Sequence, residues 1–79
     1  MSDLIVHRNI KVKNNKTNIS LPIDKYIINT FKWDLRSSNV IIDVDYYVDD
    51  NFQFTNEFVF IEKEEVDVNK LIEQVKNFH

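Results

Sequence analysis

From residue 40 to residue 61 the chain alternates between apolar and polar side chains, and no other feature constrains its fold as tightly. Positions 40, 42, 44, 46 and 48 read Val, Ile, Val, Tyr, Val, while 41, 43, 45, 47 and 49 read Ile, Asp, Asp, Tyr, Asp. Positions 52, 54, 58 and 60 are all Phe, with Asn56 among them, and the alternate positions carry Gln53, Thr55, Glu57, Val59 and Ile61. A period of two marks strands with one buried and one wet face. The two runs predict a hairpin, and its loop must keep both apolar rows on the same side. A two-residue loop sets Asp49 against Phe52 and breaks the match. A three-residue loop, Asp49-Asp50-Asn51, pairs Val48 with Phe52, Tyr46 with Phe54, Ile42 with Phe58 and Val40 with Phe60. Asn51 then supplies the left-handed residue that such loops need, because the chain has no Gly. The same register sets Asp43 opposite Glu57 and Asp45 opposite Thr55 on the outer face.

The N-terminal part repeats this plan more weakly. Leu4, Val6, Ile10 and Val12 alternate, Asn14-Asn15 forms a turn, and Ile19, Leu21 and Ile23 alternate on the return. Pro22 implies an edge strand or a strand end. The spacing by four of Ile23, Ile27, Phe31 and Leu35 then predicts a helix over 24–36 with Asp24 as N-cap. A strand competes with it, because Ile, Thr, Phe, Trp and Tyr favour strands. A C-terminal helix follows, with Val68, Leu71, Ile72, Val75 and Phe78 on one face, Asp67 as N-cap and Val66 stapling to Leu71. The expected fold is α+β: a single domain over 1–79, an antiparallel sheet of about four strands, and two helices in the order ββαββα. His7 and His79 read as surface residues, and Asn56, on the apolar face, as a partner for Arg8.

Seventy-nine residues bury only about 60% of their unfolded surface, so a domain of this size commonly leans on a staple or a partner. Cys is absent, which excludes disulfides and thiolate metal sites. Without Gly there is no phosphate-cradling loop, and neither histidine has neighbours at metal-ligand spacing. The run "DVDYYVDDN" lacks the central Gly and terminal Glu of a calcium loop. These absences argue for a protein that is not an enzyme and needs no cofactor or metal. There is no run of 18 apolar residues and no signal-peptide pattern at the N-terminus, so the expected location is cytoplasmic, with no membrane involvement.

Charge is divided unevenly. Residues 1–39 hold seven basic and three acidic side chains, a net +4, while residues 40–79 hold three basic and ten acidic, a net −7. Arg8, Lys11, Lys13 and Lys16 around the first hairpin have no interleaved aromatic platform, which argues against direct nucleic-acid binding. The acidic half carries Asp43, Asp45, Asp49, Asp50 and Glu57, continuing into Glu62, Glu64, Glu65 and Asp67. Strand spacing gives these carboxylates a charge density comparable to a nucleic-acid backbone. Asp43, Asp45, Tyr47, Asp49, Asp50 and Glu57 are therefore the candidate partner-binding residues, and the expected partner is a protein with a basic surface.

Asn, Ile, Lys, Phe and Tyr make up 37 of the 79 residues, all read from A/T-rich codons, which points to a low-GC bacterium, its phage or a mobile element. In this general character, short, acidic, Asn-rich and without an enzyme motif, the chain is similar to small phage-encoded inhibitors of host or defence proteins. The resemblance implies an inhibitor that blocks a nucleic-acid-handling protein by imitating DNA. The alternatives are a homo-oligomeric assembly protein, such as a homodimer, with Ile41, Val59 and Ile61 at a two-fold axis or an edge strand extending the sheet, and a small nucleic-acid-binding regulator using the basic hairpin.

Overall fold

The computed structural model describes residues 4–34, 36–61 and 67–79. Four strands follow one another in the chain: β1 (Ile5–Lys13), β2 (Ser20–Asp34), β3 (Asn39–Val48) and β4 (Asn51–Ile61). They form one antiparallel meander in the order β1-β2-β3-β4, and the helix α1 (Val68–Asn77) packs on one face. The small α+β domain with a four-stranded antiparallel sheet and a C-terminal helix is thus as the sequence implies.

The second helix and the ββαββα order are not. Residues 24–34 belong to β2, and the architecture is ββββα. A spacing of four is even and so fits a strand as well as a helix, and the β-branched and aromatic residues of this stretch decide for the strand. Pairing adds to that preference: β2 lies between β1 and β3, opposite Val40, Ile42, Val44 and Tyr46 on one side. Leu35 and the Val66 staple lie outside the described residues.

The register of the second hairpin is kept by a route different from the expected loop. Tyr46 pairs with Phe54, Ile42 with Phe58, Val40 with Phe60, and Asp43 with Glu57, all as the alternation implies. Yet Val48 pairs with Asn51, so the loop is two residues long, Asp49-Asp50, with φ of 49° and 63°. Paired left-handed residues are the mark of the tight hairpin turn whose twist matches the strands, and Asp tolerates that region better than most residues. Asn51 is not left-handed. The parity error of a two-residue loop is cancelled by a bulge at Gln53, between the Tyr46–Phe54 and Tyr47–Phe52 pairs. Asp24 and Lys25 on β2 hold the turn: the Asp49 N–H donates to Asp24 Oδ2 at 2.9 Å and Lys25 Nζ donates to Asp50 Oδ1 at 2.7 Å.

Two further bulges, at Arg8–Asn9 of β1 and Asn29 of β2, bend the sheet. The bending carries the β1–β2 turn over the helix-bearing face towards β4, the far edge strand. There Asn56, 4% exposed, accepts from the Asn15 N–H at 3.0 Å and donates to the Lys13 carbonyl at 2.8 Å. The expected pairing of Asn56 with Arg8 is replaced by this backbone clasp.

The core lies between the curled sheet and α1. Val40, Ile42, Val44 and Tyr46 of β3 are completely buried, and Leu71 and Val75 of α1 pack against the same cluster. Asp67 caps the helix as expected, accepting from the Lys70 N–H. Phe78, expected in the core, is 71% exposed, with its ring 5.4 Å from Phe58.

His79 is not the expected surface residue. Its ring stacks on Tyr26 at 4.3 Å, Nδ1 lies 2.7 Å from the Val75 carbonyl, and Nε2 lies 2.7 Å from the Tyr46 hydroxyl. A carbonyl only accepts, so Nδ1 carries the proton and Nε2 accepts from Tyr46. Burial pushes the His79 pKa below 6.5 and the Tyr46 pKa up, which keeps both groups neutral.

Two outcomes follow from this packing. Deleting Gln53 removes the bulge, runs the two-residue turn straight into the Tyr46–Phe54 pair and keeps cooperative urea unfolding, whereas deleting Phe54 leaves Gln53 to take its core position and lowers the urea midpoint. Because the folded His79 binds its proton less tightly than the unfolded chain, stability is whole above pH 6.5 and declines as pH falls from there towards the folded pKa. Thermal unfolding across that window shows this slope, and His79→Phe removes it.

Candidate interaction face

The helix covers one face of the sheet, and side chains of the opposite parity make up the other. The strand pairings arrange them in rows. At one end lie Lys32, Ile41 and Val59, with Ile61 beside Asn39. Thr30, Asp43 and Glu57 follow, then Ile27, Asp45 and Thr55, with Ile5 against Ile27. Lys25, Tyr47 and Phe52 close the row nearest the β3–β4 turn. Ile5, Phe52, Val59 and Ile61 are exposed, Ile61 by 70%.

The six candidate residues separate into two groups. Tyr47, Asp49 and Asp50 gather at the turn. The Tyr47 ring makes an edge contact with Phe52 at 5.8 Å, and Lys25 Nζ sits 4.8 Å from its centre. Lys25 binds Asp50, and that hydrogen bond and charge hold the Asp50 pKa below, and the Lys25 pKa above, their ordinary values. Asp49 is committed to the turn backbone. At this end the Lys25 ammonium neutralises Asp50, while the exposed Asp49 carboxylate has no ion-pair partner among the described residues.

Asp43, Asp45 and Glu57 occupy the middle. Asp45 is satisfied on both oxygens, by the Thr55 hydroxyl at 2.6 Å and the Asn29 amide at 2.9 Å. Asn29 can reach it because the bulge at Asn29 opposes two β2 residues to one step of β3. Asp43 is different. It lies directly opposite Glu57, and its Oδ1 is shut off from solvent with no hydrogen-bond partner among the described residues. Like charges opposite each other and an unpaired buried oxygen both cost stability.

Sequence reasoning missed three contributors to this face. Phe52 was expected inside, and the Gln53 bulge turns it out. Lys25 and Lys32 were assigned to a helix, and as strand residues they place positive charge among the carboxylates. Two adjacent Asp residues, both able to adopt left-handed φ, were the available signal for the two-residue turn and hence for the bulge. Glu62, Glu64 and Glu65, which extend the acidic run, lie outside the described residues. Among the described residues no group of three or more His, Asp or Glu side chains is arranged to hold a metal ion, and no helix is long and apolar enough to cross a membrane.

No protein-family model, curated protein or solved structure matches this chain.

The contrast between the two central aspartates is measurable. Asp45→Ala lowers the free energy of unfolding by about 1 kcal/mol through two lost hydrogen bonds. Asp43→Asn raises it by about 0.5 kcal/mol by removing the repulsion with Glu57. Urea titrations of the two variants beside the wild type give both numbers.

Proposed function

We propose that the chain is a small non-enzymatic protein-binding module that meets its partner on the bare face of the sheet. The observation that carries this reading is a band of exposed apolar side chains, Val59 and Ile61 beside Ile41, running up to two carboxylates that the fold does not neutralise, Asp43 and Glu57. An apolar centre bordered by charge is the composition of a protein interface. Asp43 lowers the stability of the fold where it stands, and an interface gives it a compensating role. The partner of best fit is a protein with a basic surface, of the sort that handles nucleic acid, and occupying that surface would inhibit it.

Relative to the sequence-based list, the contact set shifts. Asp43, Glu57, Ile41, Val59 and Ile61 carry the binding, Asp45 and Tyr47 support the face, and Asp49 and Asp50 hold the turn. Close imitation of a nucleic-acid backbone is not part of this reading, because Ile27, Thr30, Thr55, Lys25 and Lys32 interrupt the line of carboxylates.

Affinity capture on immobilised wild-type chain, beside an Asp43→Asn/Glu57→Gln double variant, tests the reading. The expected result is one basic partner retained at low salt, released as salt is raised, and lost with the double variant. Retention that is indifferent to both salt and the two substitutions overturns it.

A further inference from the structure

Three stretches of strand edge have no neighbouring strand among the described residues: β1, the Thr30–Asp34 part of β2, and β4. Natural sheets blunt such edges with bulges and charges. β1 carries a bulge at Arg8–Asn9 and the cations Lys11 and Lys13. The β2 stretch follows the Asn29 bulge and carries Lys32 and Asp34. β4 has neither device beyond Gln53. From Phe54 to Ile61 its pairing with β3 is regular, and Glu57 is its single charge. Both flanks of this edge are apolar. Phe58 and Phe60 lie on the helix side with Phe78 beside Phe58, and the exposed Val59 and Ile61 lie on the bare side.

We infer that two copies of the chain join through this edge, β4 against β4 in antiparallel fashion about a two-fold axis. The product is one continuous eight-stranded sheet with both helices on the same side. A two-fold axis at Val59 sets Val59 against Val59 of the second copy and Phe58 against its Phe60 on the helix side. Glu57 then stands beside Ile61 of the second copy, so the two carboxylates stay apart. An axis at Glu57 would set them face to face, which disfavours that register. A second copy fits this edge better than a basic extended peptide, which would find one carboxylate there, whereas another β4 matches the apolar flanks on both faces. Each chain offers one such edge, so the pairing closes at the dimer. A pairing this short buries less than the roughly 1,600 Å² of a standard stable interface, so association is weak and depends on concentration. It uses the strand edge and does not depend on the proposed partner.

Sedimentation velocity from micromolar to millimolar concentration tests the inference, together with amide hydrogen exchange at both ends of that range. The expected result is a mass rising towards twice the monomer, with alternate amides of residues 57–61 gaining protection as concentration rises. Val59→Lys and, separately, Ile61→Glu, which sets a second carboxylate beside Glu57 of the other copy, keep the chain monomeric with unchanged circular dichroism, and Asp43→Asn leaves the dimer intact. Should Val59→Lys disturb folding, Ile61→Glu at the more exposed position carries the test alone. A strict monomer at millimolar concentration overturns the inference. So does a dimer that survives both Val59→Lys and Ile61→Glu, or one that Asp43→Asn weakens tenfold, since association would then run through another surface.

Discussion

Val40, Ile42, Val44 and Tyr46 project from one face of β3 into complete burial, and the other elements are placed so as to keep that row dry. β2 and β4 flank it, Leu71 and Val75 cover it, and His79 closes its end by accepting from the Tyr46 hydroxyl. A strand with one buried face tolerates no slip of one residue, because such a slip would exchange the Val and Ile row for Asp43 and Asp45. The two-residue turn at Asp49-Asp50 would impose that slip on β4, and the bulge at Gln53 removes it. The bulge in turn delivers Phe52 to the opposite face, so the need to protect the core shapes the candidate interaction surface directly.

The lack of glycine runs through the whole design. Left-handed backbone at Asn18, Ser38, Asp49 and Asp50 is carried by short polar residues, each less comfortable there than Gly. The fold offsets this with local hydrogen bonds, of which the clamp of Asp24 and Lys25 on the β3–β4 turn is the clearest. Asn56 acts over a longer range, joining the turn after β1 to the strand at the far edge of the sheet. A sheet bent by three bulges and clasped in this way can enclose a core with a single helix, which leaves the opposite face bare.

That bare face is a mixed surface. Lys25 neutralises Asp50 at the turn, Thr55 and Asn29 satisfy Asp45, and Asp43 and Glu57 remain in opposition beside an exposed apolar band. The two proposed associations draw on separate properties of the molecule. Partner binding draws on the outward parity of β3 and β4 and on charges that the fold leaves uncompensated. Dimerisation draws on backbone hydrogen-bonding groups along an edge without protective charges. Val59 and Ile61 contribute to both, because they are the outermost apolar side chains of that face.

Local pattern was enough to determine that residues 40–61 form a hairpin, its facing pairs from Tyr46–Phe54 to Val40–Phe60, the C-terminal helix and its Asp67 cap. Each rests on a period of two or 3.6 residues, or on one capping side chain, within a short stretch of chain. The identity of residues 24–34 was not decided at that level, since an even spacing of apolar residues serves helix and strand alike, and the neighbouring strands β1 and β3 settled it. The positions of His79, Asn56 and Phe52 were likewise beyond local reading. His79 is half-buried because its ring stacks on Tyr26 and meets the Tyr46 hydroxyl, Asn56 is buried because the sheet curls, and Phe52 is exposed because a bulge corrects a turn. The sequence by itself determined which side chains share a face within 40–46 and 54–60. Only the tertiary structure decided which face is covered and which charges remain unpaired, because both depend on contacts between residues far apart in the chain.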